Sequence, residues 1–155
     1  MTTYFLDASA LVKRYLHEVG STWIIGLTAP NISHTIIIAE ITQVEVAAAI
    51  AARQRAPRGI TLQQRDSAIG LLAKHIDAEY HLIGTTPSIL DRAVRLTQAH
   101  WLRGYDSIQL ATALITHELL LGAGLSGLMF VTADADLIAA GEREGLPSEN
   151  PLRHE

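Results

Sequence analysis

Along the chain, short uninterrupted apolar runs alternate with longer stretches in which apolar residues recur at helical spacing. Thr3-Tyr4-Phe5-Leu6 is a β-prone run ending on Asp7, and Ala8 to Glu18 follows with Ala10, Leu11 and Tyr15 on one helical face. Gly20 and Ser21 punctuate, Thr22 to Leu27 predicts a short helix, and Pro30-Asn31 closes that segment. Thr35-Ile36-Ile37-Ile38 is β-branched throughout, and its lack of polar alternation suits a parallel strand covered on both faces. Glu40 to Arg55, rich in alanine and straight-chain residues, predicts a strong helix broken by Pro57-Arg58-Gly59. The basic residues at its end complement the helix dipole. A helix over Leu62 to Ile76 and a strand over Tyr80 to Ile83 come next. Pro87 then stands near the start of the helix Ser88 to His100, where its missing N–H costs nothing. Asp106 to Leu121 predicts a helix with Asp106 at its cap or in its first turn. After a glycine-rich loop come a buried strand over Leu128 to Val131, a helix over Ala135 to Glu144 closed by Gly145, and a last short strand within Leu146 to Leu152.

Strands alternating with helices predict an α/β sandwich with a mainly parallel sheet. A length of 155 residues fits one domain, residues 1–155, and an apolar share of 48% is ample for its core. The most apolar stretch, Leu119 to Val131, is interrupted by Gly122, Gly124, Ser126 and Gly127, so no membrane span is expected. The first residues lack the basic start and cleavage site of a secretion signal. Cysteine is absent, which excludes disulfides and thiolate metal sites and is compatible with a cytoplasmic location. A formal net charge of −4 argues weakly against a non-specific nucleic-acid binder, and less so where carboxylates hold a cation.

Four carboxylates occupy telling places. Asp7 follows the first strand directly and Asp134 lies just past the strand ending at Val131. In open α/β sheets, sites form beyond the carboxyl ends of strands, so both project toward one edge. Asp106 beside the loop Leu102-Arg103-Gly104-Tyr105 reads, taken alone, as a helix cap. Glu45 sits among Val44, Val46, Ala47, Ala48 and Ala49, where an unpaired charge is expensive to bury and needs a cation, a donor or a proton. Glu40 lies about 140° from Glu45 around a helix, so the two cannot share a face, and Glu40 is expected to complement the helix dipole. Carboxylates converging without Cys or His suit a hard cation such as Mg²⁺ or Mn²⁺, the ions of phosphoryl chemistry.

Four stretches carry a family resemblance. Tyr4-Phe5-Leu6-Asp7-Ala8-Ser9-Ala10-Leu11-Val12-Lys13-Arg14-Tyr15 resembles the opening of PIN-domain proteins, and of VapC toxins in particular. Glu40 to Ala49 resembles the second motif with Glu45 as its acid, Leu102 to Ala113 the third with Asp106, and Phe130 to Leu137 the fourth with Asp134; the tail Glu144 to Pro151 also fits. The resemblance implies a three-layer α/β/α PIN fold and a Mg²⁺- or Mn²⁺-dependent endoribonuclease. It further implies a homodimer, RNA substrate leaving 5′-phosphate and 3′-hydroxyl ends, and inhibition by a VapB-like antitoxin. It carries the roles of catalytic residue and metal ligand onto Asp7, Glu45, Asp106 and Asp134. Asp136 is either a water-mediated ligand or, by preference, the cap of the next helix. Ser9 and Thr132 either orient the acids or bond the local backbone. Ala39 departs from the serine often found before the second helix, at an expected cost of roughly 1 kcal/mol in helix capping.

Substrate contact needs positive charge near the acids. Arg14 and Arg103 are the candidates for phosphate contact, with solvated surface charge as the plainer alternative. The seven histidines form no metal pair at i, i+4 on one helix. A haloacid-dehalogenase phosphatase needs an acid two residues after Asp7, where Ser9 stands, and a receiver domain needs a lysine that the segment after Val131 lacks. The remaining alternative is a catalytically silent PIN domain that binds protein or RNA. The helices Thr22 to Leu27 and Leu62 to Ile76 are candidates for an antitoxin groove.

Overall fold

The computed structural model describes residues 1–154. Its core is a five-stranded sheet, parallel throughout: β1 (Thr3–Leu6), β2 (Thr35–Ala39), β3 (Tyr80–Ile83), β4 (Leu128–Val131) and β5 (Ser148–Glu149), in the order β3-β2-β1-β4-β5. Parallel strands need both faces covered. On one face lie α1 (Ala8–Leu11), α2 (Ser21–Leu27), α3 (Thr42–Arg55) and α4 (Leu62–Ala78); on the other lie α5 (Pro87–Ala99), α6 (Gly104–Gly122) and α7 (Ala135–Arg143). This is the three-layer α/β/α sandwich.

Each strand feeds both layers because successive side chains point to opposite faces. Phe5, Ile37 and Phe130 join Ile89, Leu96, Leu110, Leu114 and Leu137 in one core. Leu6, Ile36, Ile38 and Val131 join Leu11, Ile24, Val46, Ile50 and Leu72 in the other. The rings of Phe5 and Phe130 meet across β1 and β4 with centroids 5.9 Å apart, a tilted pair worth more than its buried area alone. The chain builds outward from β1 to β2 and β3, then returns to the other side of β1 with β4 and β5. That reversal puts the carboxyl ends of β1 and β4 at a topological switch point, where open α/β sheets carry their ligand crevice.

Several element bounds depart from the sequence expectation. The first helix does not reach Glu18: α1 stops at Leu11, a 3₁₀ turn spans Val12–Arg14, and the buried Lys13 folds back onto Glu18 at 2.8 Å, which Arg53 also holds at 3.0 Å. α3 starts at Thr42, so Glu40 is not a first-turn acid. Its backbone N–H instead bonds Ile83 O, and its carboxylate accepts from Thr85 N at 2.7 Å, a role that continues the sheet edge. The cap position of α3 is Ile41, and Ala39 lies in β2, so no capping hydroxyl is lost at Ala39. α4 runs on to Ala78 from a capping box between Thr61 and Gln64. Gly145, with φ +81°, closes α7 in a conformation that L side chains resist.

Leu110 has no exposed surface and belongs to the α5–α7 core. Leu110→Ala is expected to cost about 2–5 kcal/mol of stability, read as a lower urea midpoint with an unchanged slope.

Candidate active site

The crevice is built around Asp7. Its backbone N–H bonds Val131 O, placing the carboxylate between the ends of β1 and β4. Oδ1 accepts from Ser9 Oγ at 2.7 Å and from Ala10 N at 3.0 Å; Oδ2 accepts from Thr132 Oγ1 at 2.6 Å. Ser9 and Thr132 in turn accept backbone N–H groups from Ala133 and Asp134, so the two hydroxyls bond both the acid and the local backbone. Asp7 is 4% exposed. Burial pushes its carboxyl up to about 6 against the lowering pull of the Thr132, Ser9 and Ala10 bonds, and the nearby charge of Asp106 adds to the rise.

Glu45, half-buried on the first turns of α3, accepts from Gln109 Nε2 at 3.0 Å, and the same amide group donates to Thr42 Oγ1 at 2.8 Å. Burial raises the Glu45 carboxyl above its ordinary range, Gln109 opposes this, and Asp106 adds to it. Asp106 itself occupies the first turn of α6, with Arg103 in the cap position, so it is not the cap. Its carboxyl is raised by desolvation and then by the charge of Asp134, while Arg103 lowers it. Asp134 caps α7: its Oδ1 accepts from Asp136 N at 2.8 Å and Leu137 N at 3.1 Å. The cap is therefore Asp134, not Asp136, because Asp134 has the extended backbone (φ −88°, ψ 116°) that lets a side chain reach forward. Asp136 is an exposed first-turn acid.

Asp106 thus acts electrostatically on both Asp7 and Glu45, and Asp134 acts on Asp106. Among the described residues none of these four acids is in an ion pair, whereas Glu18, Glu79, Glu118, Glu144 and Glu149 all are. The arrangement differs from a closed cage: no group of three His, Cys, Asp or Glu among the described residues is set to hold one ion as it stands. Donor chemistry and electrostatics nonetheless fit a hard divalent cation, with oxygen donors only, mutual repulsion, and Arg103 alone, without an ion pair, easing the charge on Asp106.

Two expectations fare differently. Arg14 is not available to a phosphate: its Nη1 donates to Glu79 Oε2 at 2.7 Å and to Tyr80 OH at 2.6 Å, and the guanidinium lies over the Tyr80 ring. Arg103 is exposed and stands one turn before Asp106. Gln109 is the residue that sequence reading missed. A lone amide on the buried face of α6, between Ile108 and Leu110, was the available signal, since a polar group there must find a partner.

A family model for the PIN domain matches residues 4–142. The chain belongs to the PIN domain family. No curated protein matches its sequence. Among solved structures, the PIN domain is similar to a toxin–antitoxin complex from Klebsiella pneumoniae, at 21% identity and TM-score 0.60, covering 96% of this chain and 97% of that one. It is similar to Mycobacterium tuberculosis VapC20, described as a toxin cleaving the sarcin–ricin loop, at 15% identity and TM-score 0.61 over 89% and 95%. VapBC2 from Rickettsia felis, bound to a promoter DNA fragment, matches at 15% identity and TM-score 0.59 over 96% and 98%. These likenesses establish the PIN fold.

Because its folded-state carboxyl binds a proton more tightly than the unfolded one, Asp7 contributes stability that is fully present below the ordinary value of 3.8 and is lost as pH rises through about 6. In metal-free protein held in EDTA, the stability of Asp7→Asn relative to wild type is therefore expected to increase from about pH 4 to neutrality. Urea midpoints across that range check this; a flat difference contradicts it.

Proposed function

We propose that this PIN domain is a metal-dependent endoribonuclease, the toxin of a VapBC-type toxin–antitoxin pair. The observation that carries the reading is four carboxylates in no ion pair among the described residues, linked electrostatically through Asp106 to Asp7 at the end of β1. Family membership and the likeness to toxin–antitoxin structures support it.

Asp7, Glu45, Asp106 and Asp134 would hold Mg²⁺ or Mn²⁺. When bound, such an ion polarises a water and offsets the charge that accumulates on the phosphate. Ser9 and Thr132 keep both Asp7 oxygens fixed, and Gln109 ties Glu45 to Thr42, so neither acid has to be ordered when substrate arrives. Attack of a water oxygen on phosphorus breaks the P–O3′ bond and leaves a 5′-phosphate and a 3′-hydroxyl. Arg103 is the residue proposed to meet a substrate phosphate.

The same reading carries a homodimer and a VapB-like antitoxin. α2 and α4 do not form one groove. A cavity of about 580 Å³ lies between α4 and Tyr15, Leu16 and Ile60, and α2 lines a different one with Trp23 and Leu27. The α4 cavity, with Ala68 and Leu71 on its wall, is the surface we assign to an antitoxin segment. A silent binding domain is the competing reading, favoured by the open spacing of the acids.

Purified protein free of antitoxin is expected to cut a mixed RNA pool with Mg²⁺ or Mn²⁺ and to stop in EDTA. Asp7→Asn and Asp106→Asn should each lose about a hundredfold or more in rate. No cutting by folded, metal-binding protein across RNA classes selects the silent reading. Gln109→Leu should raise the Mg²⁺ concentration needed for half-maximal activity about tenfold or more; an unchanged requirement removes Gln109 from the site.

A further inference from the structure

Trp101 is 100% exposed. A fully solvated indole is among the less expected features of a protein surface, and single exposed apolar residues usually need no account. Here the surroundings supply one. The short segment between α5 and α6 is fixed on both sides of Trp101. His100 Nε2 is 2.8 Å from Glu144 Oε1, and Leu102 packs against the α5–α7 core. Leu102 N donates to His100 O at 3.0 Å, closing a three-residue γ-turn with Trp101 at its apex. The backbone therefore holds the indole outward on a rigid support.

Guanidinium groups flank the indole, although the chain as a whole is acidic and Asp136 and the His100-bound Glu144 also lie nearby. Trp101 lies on the rim of two small cavities. One is also lined by Arg103 and Thr97; the other by Asp136 and Arg143, at the start and end of α7. Tyr105, on the next turn of chain, is 67% exposed. Trp101 is five residues from Asp106, which limits their Cα separation to about 17 Å, and Asp136 places the second cavity beside the helix that Asp134 caps.

We propose that Trp101, flanked by Arg103 and Arg143, is a stacking platform for an unpaired base of the RNA substrate next to the cleavage site. The proposal rests on the nuclease reading of the acids and adds what the substrate must offer them: a single-stranded nucleotide. An aromatic face accepts any base, and adjacent guanidinium groups meet the phosphates on either side, which is how unpaired nucleic acid is gripped without base-edge contacts. A base locked in a duplex has no free face for the indole. Because the γ-turn and the His100–Glu144 contact hold Trp101 in advance, stacking requires little ordering of the protein.

The test uses Asp7→Asn protein in Mg²⁺, so that RNA is held but not cut, titrated with a mixed-sequence single-stranded oligoribonucleotide and with its duplex. The two tryptophans are Trp23 and Trp101, and Trp23 is stacked on His154, so a quench lost in Trp101→Leu reports on Trp101. The expected result is saturable quenching by the single strand, with about tenfold more duplex required. Trp101→Leu should bind labelled single strand about tenfold more weakly at an unchanged melting temperature, while Trp101→Phe retains most of the affinity. With Asp7 restored, Trp101→Leu should raise KM and leave kcat nearly unchanged. Equal quenching by duplex, or an unchanged affinity in Trp101→Leu, overturns the proposal. A shift of oligomeric state in Trp101→Leu also overturns it, assigning the indole to a contact between copies of the chain. Wild type that grips single strands through Trp101 yet cuts none removes the nuclease reading alone; cutting with the same KM in Trp101→Leu removes this one alone.

Discussion

Everything at the crevice follows from taking one carboxylate out of water at the end of the central strand. Asp7 cannot be solvated there, so the sheet must solvate it instead. Two hydroxyls and one backbone N–H take the place of water, and both hydroxyls are themselves anchored to the loop after β4. These bonds are not enough to cancel burial, and the carboxyl remains raised. The shortfall leaves an acid whose ionised form is only partly stabilised by the protein itself, the condition under which a cation, as proposed above, would add most.

The two cores serve that arrangement. Alternation along β1 sends Phe5 into one layer and Leu6 into the other, so the residue after them is held by both. Shifting β1 by one residue would exchange the faces and turn Asp7 out of the crevice. The α5–α7 layer delivers Asp106 and Gln109 on one helix, the other layer delivers Glu45, and the loop after β4 delivers Thr132 and Asp134. No single supersecondary unit contains the site.

Much of this was readable from the amino-acid pattern. The β-branched run at Ile36–Ile38, the bounds of β3 and the position of Asp7 and Asp134 beyond strand ends depend on local composition, and local composition sufficed. What escaped the sequence depends on partners far along the chain. Arg14 meets Glu79 and Tyr80 more than sixty residues away, and Gln109 reaches Glu45 across a comparable distance. The choice of Asp134 over Asp136 as the α7 cap depends on a backbone angle that two aspartates one residue apart do not announce. The end of α1 was set by the inward turn of Lys13 toward Glu18, a contact that helical periodicity does not encode.

The bond between Asp7 and Thr132 joins residues 125 positions apart. Loops of that length close late, after the local elements they connect. During synthesis from the N-terminus, Asp7, Glu45 and Asp106 all emerge before the strand and loop that complete their setting. On the ribosome, therefore, the setting of Asp7 stays incomplete until β4 and the loop behind it have cleared the exit tunnel, and until then its carboxylate waits in solvent.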